Sequence, residues 1–475
     1  MRLKSIHIRK RGIELLKHLY AFVLRITLFC LAGDILFTSA FMLLRIPPVG
    51  AGVPINEVIL VFSLAAILLM PHSDAGFSNT PIFPLLLLLW TQATVQLAIG
   101  LYFNGFWAIR DAANLIETGF IFIGFWLASD PRFLPIFVPW FRHTLTFAAF
   151  YILLYPFQDT LVVFSPVITS VSGYPSPLFF SYTNATSVGV TAACHMIVSN
   201  SGPQLYRTLT TAAIVMVLIV FVQARLVYLQ LGLLILIISF VNPERLSSFG
   251  VMALTTVGLV SVFLLSGIQL PGRLGTTFTL DFLVHHFAAI WGGGTENGAT
   301  VAAAEGVDLR LGWWIKIHND LQRDLPTWIF GLGYGNPLTS FRGPSDDVVR
   351  EPHNSFFSIY GRLGVFGIVN FLLAQITVLV TTIRLIILTR RNGLIELHAV
   401  AITILCFLGV HLLYSSGEGG FEVSFAAVPY YFLAGVAIAL HMRLAQWENA
   451  LGVDFIESKS SNVRLIPRLG RIRGC

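Results

Sequence analysis

Charge is what this chain has least of. Only 11% of its 475 residues are Asp, Glu, Lys or Arg, against about 25% in an ordinary globular chain. Hydrophobic residues make up 55%, and the mean hydropathy is +0.77. A single soluble core cannot hide that much apolar surface, so a water-soluble globular protein is excluded and a bilayer takes the place of the core. Cysteine is scarce as well, with four in all. Cys30, Cys194 and Cys406 lie inside apolar runs, Cys475 is the last residue, and no C-x-x-C or His/Cys cluster occurs. That removes a disulfide framework and a structural zinc site. The motifs of nucleotide enzymes are missing too. There is no G-x-x-x-x-G-K-[ST] and no H-E-x-x-H, so neither a P-loop nor a zincin-type metal site is expected. Gly331-Leu332-Gly333-Tyr334-Gly335 has neither the GxGxxG spacing nor a βαβ setting. Its glycines read instead as a tight turn beside a ligand or the membrane surface. No cofactor, no metal and no nucleic-acid partner is expected.

Long apolar runs are what the chain does have. Windows of ~20 residues pick out about twelve of them, near 20–45, 56–72, 81–102, 112–129, 143–158, 184–200, 208–223, 226–242, 247–267, 355–388, 396–415 and 424–442. The stretch 207–241 is too long for one span and is broken by Gln223 and Arg225, so it reads as a tight hairpin of two short helices. The expected fold class is therefore all-α, a polytopic membrane protein with about 12 transmembrane helices and a large outer loop carrying short amphipathic helices. Basic residues set the orientation. Arg2, Lys4, Arg9, Lys10, Arg11 and Lys17 precede the first span, Arg390-Arg391 forms a basic loop, and Arg443, Lys459, Arg464, Arg468, Arg471 and Arg473 follow the last. Both termini are placed inside, and an even number of spans satisfies this. No small-residue cleavage site precedes Phe41, so the first segment reads as a retained helix.

Four parts follow: a bundle of about nine spans over 1–267, a loop over 268–354, three spans over 355–442 and a basic inner tail over 443–475. The loop holds six basic and nine acidic residues, a net charge of −3. Counting spans from an inside N-terminus puts it outside, and a loop of that length is usually functional.

Three features of the outer side could do chemistry. Asp308–Arg323 reads as an amphipathic helix opened by Arg310, after a small-residue linker at Ala299–Ala304. Trp313 and Trp314 suit a membrane interface. Arg350-Glu351-Pro352-His353-Asn354-Ser355 lies where the chain returns to the membrane. Asn354 or Ser355 suits a helix N-cap, which sets His353 at the positive end of the helix dipole and favours a neutral ring able to accept a proton. Glu351 is the rival base. Arg225, between the two short helices, needs an anionic partner. Arg110 is a further outer cation, with Asp111 as its local partner. Each has a bland alternative: Arg310 or Arg225 merely snorkels, and His353 is structural. Arg25 and Asp34 fall on opposite faces of the first helix, which leaves Asp34 a buried acid without an explanation.

Taken together, Arg310-Leu311-Gly312-Trp313-Trp314, Trp328 to Gly335, Pro352-His353-Asn354-Ser355-Phe356 and Gly361-Arg362-Leu363-Gly364-Val365-Phe366-Gly367 resemble the bacterial O-antigen ligase/polymerase superfamily. The resemblance covers roughly 205–390 and is weak in the first third. Where many members have Ser-Arg-Gly after the seventh span, this chain has Ala224-Arg225-Leu226. The resemblance implies a GT-C type glycosyltransferase of the bacterial inner (plasma) membrane, its site facing the periplasm and both termini cytoplasmic. It implies a glycan donor on undecaprenyl diphosphate and an acceptor hydroxyl on a growing polysaccharide or on lipid A core. A chain-length regulator or a flippase would be its partners. His353 would be the base, Asn354 would orient it or the acceptor, and Arg310 and Arg225, with Arg110, would hold the diphosphate. The competing expectation is a secondary transporter or lipid-linked glycan flippase using Asp34 as a coupling acid. Against it, the chain shows no two equivalent halves, and its chemistry-bearing residues gather in the outer loop.

Overall fold

The structure, a computed structural model, describes residues 2–46, 53–70, 76–169, 175–199, 202–267, 278–288, 298–339, 341 and 349–450. The basic tail after Ala450, and Arg273 and Arg342 of the outer loop, lie outside the described residues. Eight helices are long and apolar enough to cross a membrane: Leu16–Phe37, Phe83–Asn104, Leu134–Leu153, Gln204–Val222, Pro243–Leu265, Ser355–Arg391, Ile395–Gly417 and Ser424–Glu448. Four shorter apolar helices, Ile55–Leu69, Ala113–Ser129, Ala185–Val198 and Arg225–Val241, stand at the remaining expected positions. At ~1.5 Å per residue, the 14 residues of Ala185–Val198 span about 21 Å, less than the ~30 Å of a hydrocarbon core. The chain is an all-α protein of membrane-embedded character.

Small residues let its helices touch backbone to backbone, as membrane helices do when no hydrophobic force drives them together. Ser424–Ala450 presses on Phe120–Ser129 in this way. A Cβ added at Gly435 would stand 2.1 Å from the Ile121 carbonyl oxygen, and one at Gly124 would stand 2.1 Å from that of Phe432. Ala427, Ala434 and Ala437 are fully buried along the same helix. The break between the two short helices has a physical cause. Leu218–Val222 widens into a π-turn, and Gln223 takes a left-handed φ of 49° before the chain resumes at Arg225–Val241. Ala185–Val198 is buried along its whole length and packs against both arms; Gln230 reaches back to it, Nε2 donating to Ser187 Oγ at 3.1 Å.

The 268–354 segment differs from expectation in two respects. Its main helix runs from Gly298 to Leu321, so Ala299–Ala304 is helical and no linker, and Arg310 sits mid-helix and does not open it. Alanine is the strongest helix former, and a run of it extends a helix more readily than it interrupts one. Trp313 is buried at 8% exposure and so does not lie at a lipid surface, because its ring packs against Phe341 and His353. The helix Ser355–Arg391 is also kinked. Gly364 has φ 65°, a conformation that a side chain would oppose, and its Cα lies against the Ile329 carbonyl.

Candidate functional site

Two groups of charges form beside the described residues of the 268–354 segment, and they differ in kind. The first is built on the glycine turn. Gly331, Gly333 and Gly335 all have positive φ, and a Cβ on Gly331 would collide with the Arg362 backbone. The turn is stitched to the helix Phe83–Asn104. Gln96 Nε2 donates to Phe330 O at 2.9 Å, and Asn104 Nδ2 to Tyr334 O at 3.1 Å. Beneath it lies Asp111. The Gly335 amide donates to Asp111 Oδ2 at 3.1 Å, Arg350 reaches both oxygens at 3.1 and 2.7 Å, and Arg362 lies 3.0 Å from Oδ2. Arg362 is fully buried and reaches Glu351 Oε1 at 2.9 Å, while Ser358 donates to Glu351 Oε2 at 2.8 Å. Every oxygen of both acids is engaged.

That network corrects two expectations. Asp111 is not the partner of Arg110. The geometry of the turn draws it to Arg350 and Arg362, and Arg110 instead lies exposed over the Trp107 ring, 5.1 Å from its centroid. Arg350 covers the same ring at 4.5 Å. Glu351, the rival base, is engaged on both oxygens, by Arg362 and by Ser358. The glycine turn itself contacts protein, namely Arg362, Gln96 and Asn104, where a ligand or the membrane surface had been expected.

The second group stands where the chain returns to the bundle. Asn354 is the N-cap of Ser355–Arg391, its Oδ1 accepting from the Phe356 and Phe357 amides at 3.0 and 3.2 Å. Its Nδ2 donates to Ser416 O at 2.7 Å, which fixes the cap to the end of Ile395–Gly417. His353 precedes the cap with φ 49°. A non-glycine residue held there is strained, a condition that clusters at functional positions. Its ring stacks on Trp313 with centroids 5.9 Å apart, and Nδ1 lies 3.2 Å from Glu418 Oε2. The other oxygen of Glu418 accepts from Arg310 Nη2 at 3.2 Å, and Arg310 Nη1 donates to Gly417 O at 2.8 Å. Glu418 thus joins the two residues that the sequence singled out separately.

Burial pushes the Glu418 carboxyl up, but hydrogen bonds and charge from His353 and Arg310 outweigh it and hold the group below the usual carboxylate range. An ionised Glu418 accepts a proton-bearing Nδ1, which leaves the His353 Nε2 lone pair free; this tautomer follows from the hydrogen-bond pattern. Both side chains keep access to solvent, His353 45% exposed and Glu418 39%. Glu418 was missed at the level of sequence, although a signal existed: one acid in Gly417-Glu418-Gly419-Gly420, between two apolar helices. Behind it stands the partly buried Glu422, accepting from Ser355 Oγ. Burial first and the nearby Glu351 second raise its carboxyl above the usual range.

Arg225 begins the helix Arg225–Val241. Its neighbour Leu226 packs with Val423, Tyr414 and Phe425, so this helix end stands against the turn that carries Glu418. Asp34, the unexplained acid, accepts from Asn56 Nδ2 at 3.0 Å deep in the N-terminal helices. An apolar cavity of about 450 Å³ opens between Gly298–Leu321 and Ser355–Arg391, lined by Leu311, Trp314, Ile315, Phe356, Phe357 and Ile368 among others. Trp314 forms its wall, stacked on Phe357 at 4.9 Å and donating from Nε1 to Pro352 O at 3.2 Å. Among the described residues no group of three or more His, Cys, Asp or Glu side chains is arranged to hold a metal. Compared with known proteins, the chain matches no family model and no curated protein.

Proposed function

We propose that the protein is a membrane glycosyltransferase that moves a glycan from a polyprenyl diphosphate, of the undecaprenyl type, to a hydroxyl of an acceptor glycan. The observation that carries this reading is the His353–Glu418–Arg310 constellation, whose Arg310 stands on the same helix that lines an apolar cavity with Leu311, Trp314 and Ile315. A base, a cation and a hydrocarbon seat are what transfer from a lipid diphosphate requires. In the proposed step the acceptor oxygen attacks the anomeric carbon of the donor sugar. The carbon–oxygen bond to the diphosphate breaks, and the electron pair leaves with polyprenyl diphosphate. His353 Nε2 takes the hydroxyl proton, a role worth roughly 10²–10⁴ in rate. Arg310, with Arg225, meets the charge that develops on the leaving group, guanidinium matching phosphate in a two-point contact. Arg110 serves at most as an outer steering charge, and Glu351 as a support of Arg362.

The reading also places twelve spans, the 268–354 segment on the periplasmic side of a bacterial inner membrane and both termini in the cytoplasm. Cysteines introduced at Asn297 and Asp347 should react with a membrane-impermeant reagent in intact spheroplasts; reaction only after permeabilisation would reverse the orientation. The decisive assay offers the purified protein a labelled polyprenyl-diphosphate glycan with acceptor, in EDTA. Released polyprenyl diphosphate supports the transferase. An acceptor of lipid A core or of growing polysaccharide then separates ligase from polymerase.

A carrier is the second reading, and one observation favours it. Asp34 and Glu117 are buried at 1% exposure, and among the described residues Asp34 Oδ2 and both Glu117 oxygens have no hydrogen-bond partner. Intramembrane acids of this kind often couple transport to protons. Movement of the labelled lipid across the bilayer without release of polyprenyl diphosphate would select the carrier and reject the transferase.

A further inference from the structure

The turn that carries Glu418 has little of its own to hold it in place. Gly417-Glu418-Gly419-Gly420 has three glycines in four residues, and glycine has more backbone freedom to lose than any other residue. Yet Glu418 meets two partners at once, His353 Nδ1 at 3.2 Å and Arg310 Nη2 at 3.2 Å. Contacts from outside must fix the turn. On the approach to Glu418, Asn354 Nδ2 donates to Ser416 O at 2.7 Å and Arg310 Nη1 to Gly417 O at 2.8 Å. What holds the chain beyond Glu418 is a different pair of residues.

Ser355, the first residue of the helix Ser355–Arg391, is fully buried. Its Oγ accepts from the Phe421 amide at 3.0 Å and gives its proton to Glu422 Oε2. A hydroxyl has a single proton, so an acceptor that takes it leaves the lone pairs facing the amide. Glu422 is that acceptor, and its own amide donates to Gly419 O at 3.2 Å. The Phe421 ring is fully buried beside Phe371, His411 and Tyr430, with centroids 5.1, 4.9 and 5.1 Å away. That burial fixes where the chain passes, and the bond to Ser355 fixes how its backbone is turned. Little play is left, since a Cβ on Gly420 would collide with Ser415 Oγ.

We propose that Ser355 and Glu422 are positioning residues for the transfer, holding the far side of the turn so that Glu418 reaches His353 and Arg310 together. The role rests on the transferase reading. Neither residue touches substrate, and both act through Glu418. Two consecutive residues at one helix start thus grip the turn on both sides of its acid: Asn354 at Ser416, two residues before Glu418, and Ser355 at Phe421, three residues after it. Misplacement of a catalytic group by about 1 Å can cost on the order of 10²-fold in rate, so a grip of this kind acts on turnover while leaving donor binding alone.

A double-mutant cycle with Glu418→Gln tests the proposal, on full-length protein given a labelled polyprenyl-diphosphate glycan and acceptor. S355A and E422A should each lower kcat about tenfold, with the donor KM within about twofold of wild type. E422Q, whose amide oxygen can still take the serine proton, should recover most of the loss. In the Glu418→Gln background the same changes should cost less than about twofold, because residues that act through one group are not additive. A merely structural defect would lower the rate equally in both backgrounds. Amide exchange over residues 416–423, followed by mass spectrometry, should quicken several-fold in S355A and E422A and stay near wild type in E422Q. E422A, at a partly exposed position, decides the matter should S355A not fold. Wild-type rates in the alanine variants would overturn the proposal, as would equal losses with and without Glu418, or unchanged exchange. A wild type that releases no polyprenyl diphosphate would overturn the transferase reading and this role with it, whereas an active wild type with unaffected variants overturns this role alone.

Discussion

Two clusters of arginine and carboxylate gather around the segment that carries Arg310 and Arg350, yet they are built in opposite ways. In one, Arg362 is fully buried and Arg350 is 11% exposed; Asp111 and Glu351 have both oxygens engaged, and a glycine turn supplies further backbone donors. In the other, Arg310, His353 and Glu418 are 35, 45 and 39% exposed, Glu418 is joined to each of the other two by a single contact, and among the described residues His353 Nε2 has no partner. Acids with both oxygens engaged in a largely buried network are held for the fold, whereas charges joined by single contacts and a third or more exposed can still be approached by a further partner. The arginines nearest the glycine turn therefore hold the scaffold, and Arg310, tied to Glu418, is the one the proposed transfer would use.

The sharpest way to break that contrast is to remove one arginine from each cluster. Arg362→Leu takes a buried cation from both the buried Asp111 and the partly buried Glu351, and loss of one partner from a buried ion network costs about 3–5 kcal/mol. Arg310→Leu should cost less than about 1 kcal/mol, because its pair is open to solvent. Thermal unfolding in detergent measures both. Similar losses would mean that the clusters do not differ in kind. In turnover the order reverses. Arg310→Lys should stay poorly active although well folded, since an ammonium cannot make the two-point contact.

His353→Ala is the next test, with turnover expected to fall by about two to four orders of magnitude while the melting temperature and donor retention stay near wild type. A His353→Ala protein that turns over normally would remove the base from the loose cluster. Glu418→Gln is subtler. It keeps the shape but weakens the hold on the imidazole and releases Arg310 from its carboxylate. Turnover should fall by up to about a hundredfold through misorientation, with donor binding unchanged or tighter. Acid unfolding gives a second readout. The Glu418 carboxyl is depressed in the folded protein, so its contribution is complete above the ordinary value of 4.5 and is lost as pH falls through the lower folded value. The wild type should therefore lose stability more steeply than Glu418→Gln in that acidic window, and equal slopes would deny the depression.

Much of the fold was legible, because long apolar runs and the break at Gln223–Arg225 are local properties of the chain. The cap at Asn354 was legible for the same reason, as its amide partners lie two and three residues ahead. What escaped were partners set by tertiary structure. Asp111 and Arg110 are adjacent in sequence, yet the glycine turn brings in Arg350 and Arg362 from more than two hundred residues away and outcompetes the neighbour. Glu418 was passed over because its significance lies in reaching Arg310 and His353 at once, 108 and 65 positions back along the chain. The Ala299–Ala304 run misled differently, since small residues allow a linker but favour a helix.

Asn354 gives the smallest expected effect and the cleanest division between the two kinds of role. Its side chain does two things at once: Oδ1 caps the helix Ser355–Arg391, and Nδ2 ties that cap to Ser416, two residues before Glu418. Asn354→Ala removes both and should cost about 1 kcal/mol, the usual worth of a cap. Asn354→Asp keeps the capping oxygen and adds a charge favourable to the helix start, so stability should stay within about 0.5 kcal/mol of wild type. It loses only the donor to Ser416 and sets two acceptors face to face, which should push the Glu418 turn away from His353. Turnover in Asn354→Asp should therefore drop several-fold at normal stability. The pH profile should shift with it, because the imidazole would be held less firmly by its carboxylate. If Asn354→Asp instead matches the wild type in rate and profile, Asn354 is a helix cap and nothing more, and the loose cluster reduces to Arg310, His353 and Glu418.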